Sequence, residues 1–600
     1  MNQVSSATEI RDWLDSFQRK LAARDVSAVA ELFAPDECYW RDLVAFTWNI
    51  ATMDGRDAIV TMLEAQIDEV LPVAVVPAGQ AKASDGVTEG WFTFETRVAR
   101  GRGHVRLRDG RAWTLLTAIQ ELKGHEEPSG RRRHIGVNHE AVKRRRVWID
   151  EREEEARTLG DTVQPYCLIV GAGQGGLALG ARLRRLDVPT LIIDSHDKPG
   201  DAWRKRYRSL YLHDAVWIDH LPYLPFPDHW PVYMHKDKMG GWLEMYCKVM
   251  ELNFWGSTTC RKASYDDSKG EWRVAVERDG KTLELRPKHL VLATGLSGVP
   301  ATPAIPGAQT FEGVQIHSSN YTGSTQFAGK RCVVVGANNS AHDICVDLWS
   351  QDVDVAMIQR SATTVLRASS LRRLADTGPF SEGGVEAGIS TETADLMIAS
   401  MPFRFKEGVD RANCTRLQEW DADFYERLRA SGFLFDFAVD GTAIAGKYAR
   451  RASGYYIDVG GSDLIARGEI KVHSGVGVER LTKHSIVLTD GTELPADAII
   501  YATGFGPMVQ WAELLISKEV ADKIGPCWGL GSDTTLDPGP WEGELRNMWK
   551  PTAQEGLWFH GGNLAQSRLH SLHLALQIKA RMEGIKLRQH TPKPYWRKLG

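Results

Sequence analysis

The spacing of apolar and polar residues changes character near residue 165, and this change divides the chain. Before it, apolar residues recur at helical spacing in the stretches 10–21 and 26–33. In the stretches 91–98 and 111–122 they alternate with polar residues. Apolar residues at every third or fourth position predict helices, whereas alternation predicts strands. Residues 1–125 are therefore predicted to form a small α+β domain.

Two segments of mixed charge lie outside the folded units that the pattern predicts. Residues 126–163 hold basic runs at 131–133 and 143–146, followed by an acidic run at 150–155. Because the opposite charges lie side by side, a solvated linker or helix is favoured over a nucleic-acid or targeting site. The basic, proline-containing tail from about residue 585 is predicted to be a surface extension.

From residue 166 the pattern becomes strand, glycine turn, helix and strand, at residues 167–170, 171–176, 177–186 and 190–193. Gly171 permits the tight turn, Gly173 lets the backbone approach a pyrophosphate, and Gly176 allows the helix to pack on the strand. Asp194, at the end of the second strand, is placed to accept hydrogen bonds from a ribose diol. Since all parts agree, a dinucleotide site is favoured over a structural glycine turn.

The same pattern recurs with the strand Arg331–Val335, which leads into a turn that contains Gly336, Asn338, Ser340 and Ala341. Asn338 and Ala341 replace glycines; asparagine tolerates unusual backbone angles, and alanine is the smallest alternative. Gln359 stands where the first unit has Asp194, and Arg360 follows it. An arginine pairs with a 2′-phosphate that an acid would repel, so the first site suits FAD or NAD and the second NADPH. An ordinary exposed arginine is the alternative for Arg360.

Two dinucleotide sites in one chain indicate hydride delivery from a nicotinamide to a flavin. The tripeptide Ala-Thr-Gly occurs after two apolar strands, at 293–295 and 502–504. Such turns fit crossings between two interleaved nucleotide domains. The predicted organisation is an FAD-binding domain at 164–325 and 488–600, and an NADPH-binding domain with substrate-channel segments at 326–487.

The amino-acid composition argues against several classes of protein. The 600 residues include 73 Lys and Arg and 77 Asp and Glu, giving a net charge of −4, with 43% hydrophobic residues. This balance excludes a largely disordered chain and argues against a nucleic-acid binder. No apolar run approaches the roughly 18 residues of a spanning helix, so no membrane partner and a cytoplasmic location are expected. None of the eight cysteines are two residues apart, so neither a metal site nor a redox dithiol is predicted.

Four segments resemble the flavin-containing monooxygenases, the class B flavoprotein oxygenases. The sequence FEGVQIHSSNY at 311–321 matches the family fingerprint FxGxxxHxxx(F/Y), and three further family segments lie at 200–212, 292–307 and 494–505. Baeyer–Villiger members end the fingerprint in Trp followed by Pro or Asp. Here Tyr321 and Thr322 favour the heteroatom-oxidising and auxin-synthesising (YUCCA-like) branches. The resemblance spans about residues 165–585.

The resemblance implies FAD and NADPH as cofactors, with dioxygen and a small-molecule substrate as reactants. NADPH reduces FAD, dioxygen adds to give a flavin hydroperoxide, and one oxygen atom passes to the substrate. The substrate class is a soft nitrogen or sulfur centre, or a 2-oxo acid such as indole-3-pyruvate. Baeyer–Villiger oxygenation of a ketone and a non-catalytic flavoprotein binding module are the alternatives.

The resemblance also implies roles for individual residues. His213, His317 and Arg204 are the predicted catalytic residues, and a structural hinge is the alternative for His317. Many animal members carry an asparagine over the isoalloxazine where this chain has His213 and Asp214, a pattern nearer the auxin-type branch. Besides the residues of the glycine motifs, predicted cofactor contacts are Trp203, Arg204, Gly504 and Asn563.

Residues 1–125 resemble the SnoaL-like, nuclear-transport-factor-like cone fold, on the helical opening, residues 39–42 and Gly55. Trp40, Asp42 and His104 either line a pocket or pack in the core of the cone, and packing is favoured. The domain is expected to be structural or to shape substrate access, with a homodimer formed through it. The predicted fold class is therefore α/β, with two Rossmann-like domains for FAD and NADPH after a small α+β cone-shaped domain.

Overall fold

The structure is a computed structural model that describes residues 3–137, 139, 141 and 143–597. The outer ends of the predicted domain ranges, Met1 and Gly600, lie outside the described residues.

Helices occur throughout the described chain. In chain order they are α1 (Gln3–Ala22), α2 (Val26–Ala30), α3 (Arg56–Val70), α4 (Trp148–Thr158), α5 (Gln174–Arg185), α6 (Asp201–Arg204), α7 (Lys236–Val249), α8 (Asn339–Trp349), α9 (Ala368–Ala375), α10 (Glu382–Glu386), α11 (Thr391–Ala399), α12 (Phe403–Trp420), α13 (Ala422–Ala430), α14 (Ala443–Arg451), α15 (Gly461–Ala466), α16 (Val509–Leu515), α17 (Lys518–Ile524) and α18 (Leu564–Met582). No described helix combines the length and the apolar composition that crossing a bilayer requires.

Strands occur both before and after residue 167. In chain order they are β1 (Tyr39–Leu43), β2 (Ile50–Asp54), β3 (Ala74–Ser84), β4 (Val87–Glu95), β5 (Ala99–Arg108), β6 (Arg111–Leu122), β7 (Cys167–Val170), β8 (Thr190–Ile193), β9 (Phe254–Trp255), β10 (Thr258–Asp266), β11 (Glu271–Arg278), β12 (Lys281–Leu285), β13 (His289–Leu292), β14 (Val314–His317), β15 (Arg331–Val335), β16 (Asp354–Gln359), β17 (Thr363–Arg367), β18 (Phe435–Asp436), β19 (Tyr455–Asp458), β20 (Lys471–Ser474), β21 (Val478–Leu481), β22 (Ser485–Leu488), β23 (Glu493–Pro495), β24 (Ala498–Tyr501) and β25 (Leu557–Phe559).

The N-terminal unit is a six-stranded sheet in the order β2-β1-β6-β5-β4-β3. β1 runs parallel to β6, and the other adjacent strands are antiparallel. Helix α1 packs on β3 and β4, and α3 packs against β2. The two predicted helices and the predicted strand at 111–122 are confirmed, although α1 begins seven residues before the predicted start at residue 10.

Two five-stranded parallel sheets follow, as expected for Rossmann-type units. The first has the order β25-β13-β7-β8-β9 and the second the order β14-β24-β15-β16-β20. The predicted strands at 167–170, 190–193 and 331–335 are confirmed. Strands β14 and β24, which the predicted ranges assign to the FAD-binding domain, both pair within the second sheet. The division into domains stays a prediction from the sequence.

Smaller sheets flank these two. An antiparallel sheet of β10, β11 and β12 and another of β21, β22 and β23 stand beside a parallel one of β18, β17 and β19. All eight cysteines, including Cys167 and Cys332, are free and buried. Burial raises the pKa of the Cys332 thiol to about 12, so it packs as a neutral apolar group.

One continuous apolar core joins the N-terminal unit to the first parallel sheet and to α18. In the N-terminal unit it contains a cluster of rings, of which Trp40 stacks 5.9 Å from Phe33 and meets Phe46 edge-on at 5.0 Å. Asp42 lies in the same interior and accepts hydrogen bonds from the Thr47 hydroxyl at 2.6 Å and the Thr117 hydroxyl at 2.5 Å. Trp40 and Asp42 are thus packed and partnered, as the sequence favoured.

His104 is also buried, with Nε2 lying 3.6 Å from Glu89 Oε2. Burial, reinforced by the nearby charge of Arg106, lowers the pKa of His104 far below its usual value. The imidazole is therefore neutral inside the unit, which suits a packed interior.

A buried ion pair fastens the N-terminal unit to the remainder of the chain. Arg41 on β1 donates from Nε and Nη2 to the two carboxylate oxygens of Glu544, at 2.6 and 2.8 Å, and both side chains are under 10% exposed. Its third nitrogen donates to the Ala399 carbonyl at 2.9 Å, and Thr52 donates to Glu544 at 2.7 Å. Planar bidentate pairing of this kind fixes orientation as well as distance.

The tail after α18 is not a free extension. Tyr595 exchanges two backbone hydrogen bonds with Trp541, at 2.8 and 3.1 Å. The Thr47 carbonyl accepts a bond from the His590 amide at 2.9 Å, and Gln66 donates to the Arg588 carbonyl at 2.9 Å. The tail is a surface extension, as predicted, because residues 585–597 are all half-buried or exposed. Its backbone groups find partners on the N-terminal unit and at Trp541.

Replacing Arg41 by Met tests the buried pair. The change leaves the Glu544 carboxylate buried without its cation, so we expect the free energy of unfolding to fall by about 3–5 kcal/mol in urea titrations followed by fluorescence. Arg24→Met is the matched control, because Arg24 pairs with Asp68 on the surface, where the loss should stay below about 1 kcal/mol. Equal losses in the two variants would contradict the role assigned to Arg41.

Candidate active site

The first glycine turn is closed tightly on one side and open on the other. Gly171 has φ of 115°, and a Cβ there would lie 2.4 Å from the Ala293 carbonyl oxygen. At Gly176 a Cβ would lie 1.9 Å from the Gly171 oxygen, so α5 packs directly on the turn. At Gly173, by contrast, a Cβ meets no atom within 4 Å. The space in front of Gly173 is therefore free, at the N-terminus of a twelve-residue helix.

Asp194 stands at the end of β8 beside this turn. Its Oδ2 accepts the Ala172 amide at 2.7 Å, and its Oδ1 accepts the amide and the ring Nδ1 of His196 at 2.8 and 2.9 Å. Burial alone would raise the pKa of the carboxyl, but these hydrogen bonds outweigh it and hold the pKa below its usual value. The group is ionised and fixed in position.

The residues at this edge fit a dinucleotide. The N-terminus of α5, which no side chain caps, and the free space at Gly173 suit a pyrophosphate. The hydroxyl of Thr294, in the Ala-Thr-Gly turn that touches Gly171, is buried and has no hydrogen-bond partner among the described residues. An ionised Asp194 at the strand end suits a ribose.

A chain of hydrogen bonds joins Trp203 and Asn563 to the same site. Trp203 donates to Gln174 at 3.3 Å, and Gln174 donates to the Gly562 carbonyl at 3.4 Å. Asn563 then caps α18 by accepting the Gln566 amide at 2.9 Å. The N-termini of α5 and α18 are thus held side by side.

The second glycine turn repeats the geometry of the first. Gly336 has φ of 130°, and a Cβ there would lie 2.3 Å from the Ala502 carbonyl oxygen. Asn338 is the N-cap of α8, Ser340 lies half-buried in its first turn, and Ala341 is fully buried. The small side chain of Ala341 preserves the close packing for which the first unit uses Gly176.

The side chains of Gln359 and Arg360, at the end of β16, have different surroundings. The Gln359 amide is buried and exchanges two hydrogen bonds with the backbone of Leu434, at 2.6 and 2.8 Å. The Arg360 guanidinium is exposed and makes no hydrogen bond or ion pair with any described residue. Of the two, only Arg360 is free to bind a phosphate.

His317, the last residue of β14, is hydrogen-bonded to the Ala-Thr-Gly turn that contains Gly504. Its Nε2 donates to the Gly504 carbonyl at 3.0 Å, while its Nδ1 accepts the Ser319 amide at 3.1 Å. Burial lowers the pKa of His317, so the ring stays neutral with its proton on Nε2. The Gly504 carbonyl also accepts the Ala301 amide at 3.0 Å.

His213 meets the second nucleotide unit through Asp343 on α8. Its Nε2 lies 3.7 Å from Asp343 Oδ2, the same oxygen to which the Tyr207 hydroxyl donates at 2.6 Å. Burial alone would lower the pKa of His213, but the Asp343 carboxylate outweighs it and raises the pKa above its usual value. The end of the family segment 200–212 is thereby tied, through His213 and Tyr207, to the helix of the second glycine turn.

Arg204 makes ion pairs or hydrogen bonds with four other residues. It pairs with Asp201 at 2.8 Å and with Glu244 at 2.7 Å, and it donates to the carbonyls of Pro199 and Gly240. These contacts fasten α6 to α7. Its predicted catalytic and cofactor-binding roles stay predictions.

Four side chains that no motif predicted lie beside these residues. They are Asp343, Tyr448, Tyr455 and Gln566. The Tyr448 hydroxyl donates to Gln566 at 2.7 Å and accepts the Asn563 amide at 3.2 Å. They come from helices and strands far apart in the chain, so no local spacing marks them. Within the described residues, no group of three His, Cys, Asp or Glu side chains is placed to hold a metal ion.

Comparisons with known proteins agree with this geometry. A family model described as flavin-binding monooxygenase-like matches residues 193–378. The indole-3-pyruvate monooxygenase YUCCA1 of Oryza sativa subsp. japonica is 30% identical over 373 residues, covering 61% of this chain and 80% of that protein. The probable indole-3-pyruvate monooxygenase YUCCA9 of Arabidopsis thaliana is 29% identical over 418 residues, covering 68% of this chain and 88% of that protein.

Among solved structures, an ε-caprolactone-bound cyclohexanone monooxygenase has a TM-score of 0.50 at 18% identity, covering 70% of this chain and 88% of that chain. A likeness at this level of identity concerns the fold.

Gly173→Ala tests the open side of the first turn. Because Gly173 has φ of −75° and free space around its Cβ position, the variant should fold normally. The added methyl group would occupy the space of the pyrophosphate, so we expect the protein to be purified without bound flavin, measured by its visible absorption. Gly241→Ala, also with free space in a helix, is the control and should retain the flavin of the unmodified chain. If Gly173→Ala retained its flavin, the result would contradict the assignment of the pyrophosphate to this turn.

Proposed function

Because this chain belongs to the flavin-binding monooxygenase family and is an FAD- and NADPH-dependent monooxygenase, we propose that it oxygenates a small organic substrate between its two glycine turns. The observation that carries the proposal is the repeated tight turn, at Gly171 against Ala293 and at Gly336 against Ala502. When bound, FAD and NADPH supply the hydride and oxygen-transfer chemistry that amino-acid side chains lack.

The chain's own residues bind and orient the two cofactors. We assign FAD to the first turn, with its pyrophosphate at Gly173 and the α5 amides, and a ribose at Asp194. Trp203 and Asn563, joined through Gln174, would border the same cofactor. We assign NADPH to the second turn, with Asn338 and Ser340 at the N-terminus of α8 and the 2′-phosphate at Arg360.

The three polar residues predicted to be catalytic receive different roles in this proposal. The Asp343 carboxylate raises the pKa of His213 and so favours its protonated form, at the place where the family resemblance puts the isoalloxazine. His317 acts by position, because its Nε2 holds β14 to the Gly504 turn while its Nδ1 accepts the Ser319 amide. Arg204 also acts by position, through Asp201 and Glu244.

The N-terminal unit is assigned a structural role. Its helices and six-stranded sheet support the SnoaL-like, cone-type assignment, and its interior is filled by aromatic rings. Its contacts through Arg41 and the tail support a unit that closes the molecule and excludes water from the substrate. The domain ranges, a homodimer through this unit and a cytoplasmic location are carried forward as predictions.

Substrate oxygenation is tested with purified yellow protein, NADPH and isotopically labelled dioxygen. The panel holds indole-3-pyruvate, a tertiary amine, a sulfide and a cyclic ketone. We expect at least one compound to stimulate NADPH oxidation and to gain one labelled oxygen atom per NADPH consumed. NADPH consumption that yields only hydrogen peroxide across the panel would contradict the proposal, and absence of consumption would indicate a binding module. Labelled lactone from the ketone alone would favour Baeyer–Villiger chemistry.

Arg360→Ala tests the assignment of the second site. A charge-assisted hydrogen bond to phosphate contributes about 1.5–3 kcal/mol, so the KM for NADPH should rise by roughly 10–100-fold. The KM for NADH should stay within about 2-fold, since NADH has no 2′-phosphate to lose. Arg286→Ala, at another exposed arginine, is the control and should change neither value. Equal losses for both nucleotides would refute the role of Arg360.

A further inference from the structure

One carboxylate oxygen on α8 receives two side chains that come from the same neighbouring segment of the chain. Asp343 Oδ2 accepts the Tyr207 hydroxyl at 2.6 Å, and the same oxygen lies 3.7 Å from His213 Nε2. The side chains of His213 and Asp343 are 20% and 13% exposed, and Tyr207 is buried. Charges interact more strongly in such a partly shielded place than on an open surface.

Two acids face the His213 ring. Asp343 approaches it from α8, and Asp214 follows it in its own segment. Burial alone would lower the pKa of His213, but these two carboxylates outweigh burial and raise the pKa above its usual value. The charged form of the ring is therefore favoured near neutral pH, and it carries the positive charge of this contact.

The other polar groups around Asp343 carry no balancing charge. Burial and then Asp343 itself raise the pKa of Tyr207, so that hydroxyl stays neutral. Burial lowers the pKa of His342 to about 4, and its neutral ring stacks on Tyr456 with centroids 3.8 Å apart. Arg206 makes no ion pair with Asp343. Among the described residues, His213 is thus the cationic partner of this carboxylate.

Asp343 lies close to the end of α8 that is assigned to the pyrophosphate of NADPH. The helix begins at Asn339, and no side chain caps its N-terminus. At a rise of about 1.5 Å per residue, Asp343 is about 6 Å further along the axis. Charges at this separation act on each other, since the screening length at physiological salt is about 8 Å. An unbalanced Asp343 carboxylate would repel a phosphate at the turn, and a protonated His213 cancels that repulsion.

We propose that His213 and Asp343 form a charge-balancing pair that sets the affinity of the second glycine turn for NADPH. The inference rests on the proposed function, because that function places NADPH at this turn. His213 acts through Asp343 and is then a positioning residue of the NADPH site. As pH rises through the pKa of His213, the ring loses its proton while Asp343 keeps its charge, so NADPH binds more weakly.

Helix α8 carries a matched control one turn further on. Asp347 Oδ2 accepts the Tyr321 hydroxyl at 2.6 Å, the same distance as in the bond from Tyr207 to Asp343. Asp347 has no histidine at ion-pair distance among the described residues, and it lies about 12 Å along the axis from the start of the helix. The two acids share a helix and a tyrosine partner, and they differ in the histidine and in the distance from the turn.

The test compares the Kd for NADP⁺ of the unmodified chain with that of Asp343→Asn. Calorimetric titration of the flavin-loaded protein measures both values without turnover, at about pH 6 and about pH 9. Asparagine keeps an oxygen for the Tyr207 hydroxyl and removes the charge, so this variant needs no balancing proton. We expect similar Kd values at the lower pH and a Kd that is roughly 3–10-fold larger for the unmodified chain at the higher pH. The titration of the 2′-phosphate of NADP⁺ cancels in this ratio.

Two further variants locate the effect. His213→Gln leaves Asp343 unbalanced at every pH, so its Kd should exceed that of the unmodified chain by roughly 3–10-fold at the lower pH and match it at the higher pH. Asp347→Asn should follow the unmodified chain at both. A ratio that does not change with pH, or the same response in Asp347→Asn, would overturn the proposal. If Asp343→Asn does not retain flavin, His213→Gln decides the question.

Failure of this inference and failure of the proposed function give different results. A protein that oxygenates the substrate panel and binds NADP⁺ with the same ratio at every pH loses only the charge-balancing pair. A protein with the expected ratio that transfers no labelled oxygen keeps the pair and loses the proposed function. If Asp343→Asn changes the visible spectrum of the flavin and leaves the Kd for NADP⁺ unchanged at both pH values, the charge belongs to the flavin site and the proposal is overturned.

Discussion

The geometry of this molecule depends on one short-range steric constraint, the contact between a glycine turn and the carbonyl of an Ala-Thr-Gly turn. At Gly171 and at Gly336 a side chain would fall within 2.4 and 2.3 Å of the facing oxygen, so only glycine permits the approach. The amide hydrogen bonds are also the same in the two sheets: Gly171 donates to Ile193 and Gly336 to Ile358. Because the carboxyl ends of the strands are drawn together in this way, each helix begins at a sheet edge with its free amides directed outward.

Buried charges in the described chain are handled in two ways. Arg41 and Glu544 satisfy each other through two short bonds, with Thr52 and Ala399 supplying further contacts. Arg568 and Asp395 do the same. Asp219, by contrast, has both carboxylate oxygens buried without a hydrogen-bond partner among the described residues. Paired charges fix the shape of a fold, whereas an unpartnered buried carboxylate is costly.

The sequence predicted the parts of the fold that depend on local spacing. The strand runs at 167–170, 190–193 and 331–335 and the two glycine turns are local patterns, and the structure has them at the predicted positions. Which strands share a sheet was harder to predict, since β14 and β24 join the second sheet through pairings between segments more than 160 residues apart. The same reason applies to the site: Tyr448 and Tyr455 reach it from elements without a motif, whereas Asp343 lies on α8, directly after the second glycine motif. The tail lies on the surface as predicted, but its partners Trp541 and Thr47 could not be predicted because they are distant in the chain.

The contact between Arg41 and Glu544 has a consequence for how the protein is made. The two residues are 503 positions apart, and at about 5–20 residues per second a ribosome needs roughly 25–100 s to travel between them. During that interval β1 presents an arginine without its carboxylate, and the apolar surface later shared with α18 stays exposed to the solvent. A unit made early in synthesis thus completes its contacts late. Expression in the cell should depend on chaperones that hold nascent chains more strongly than for a monooxygenase that begins directly at its first glycine turn.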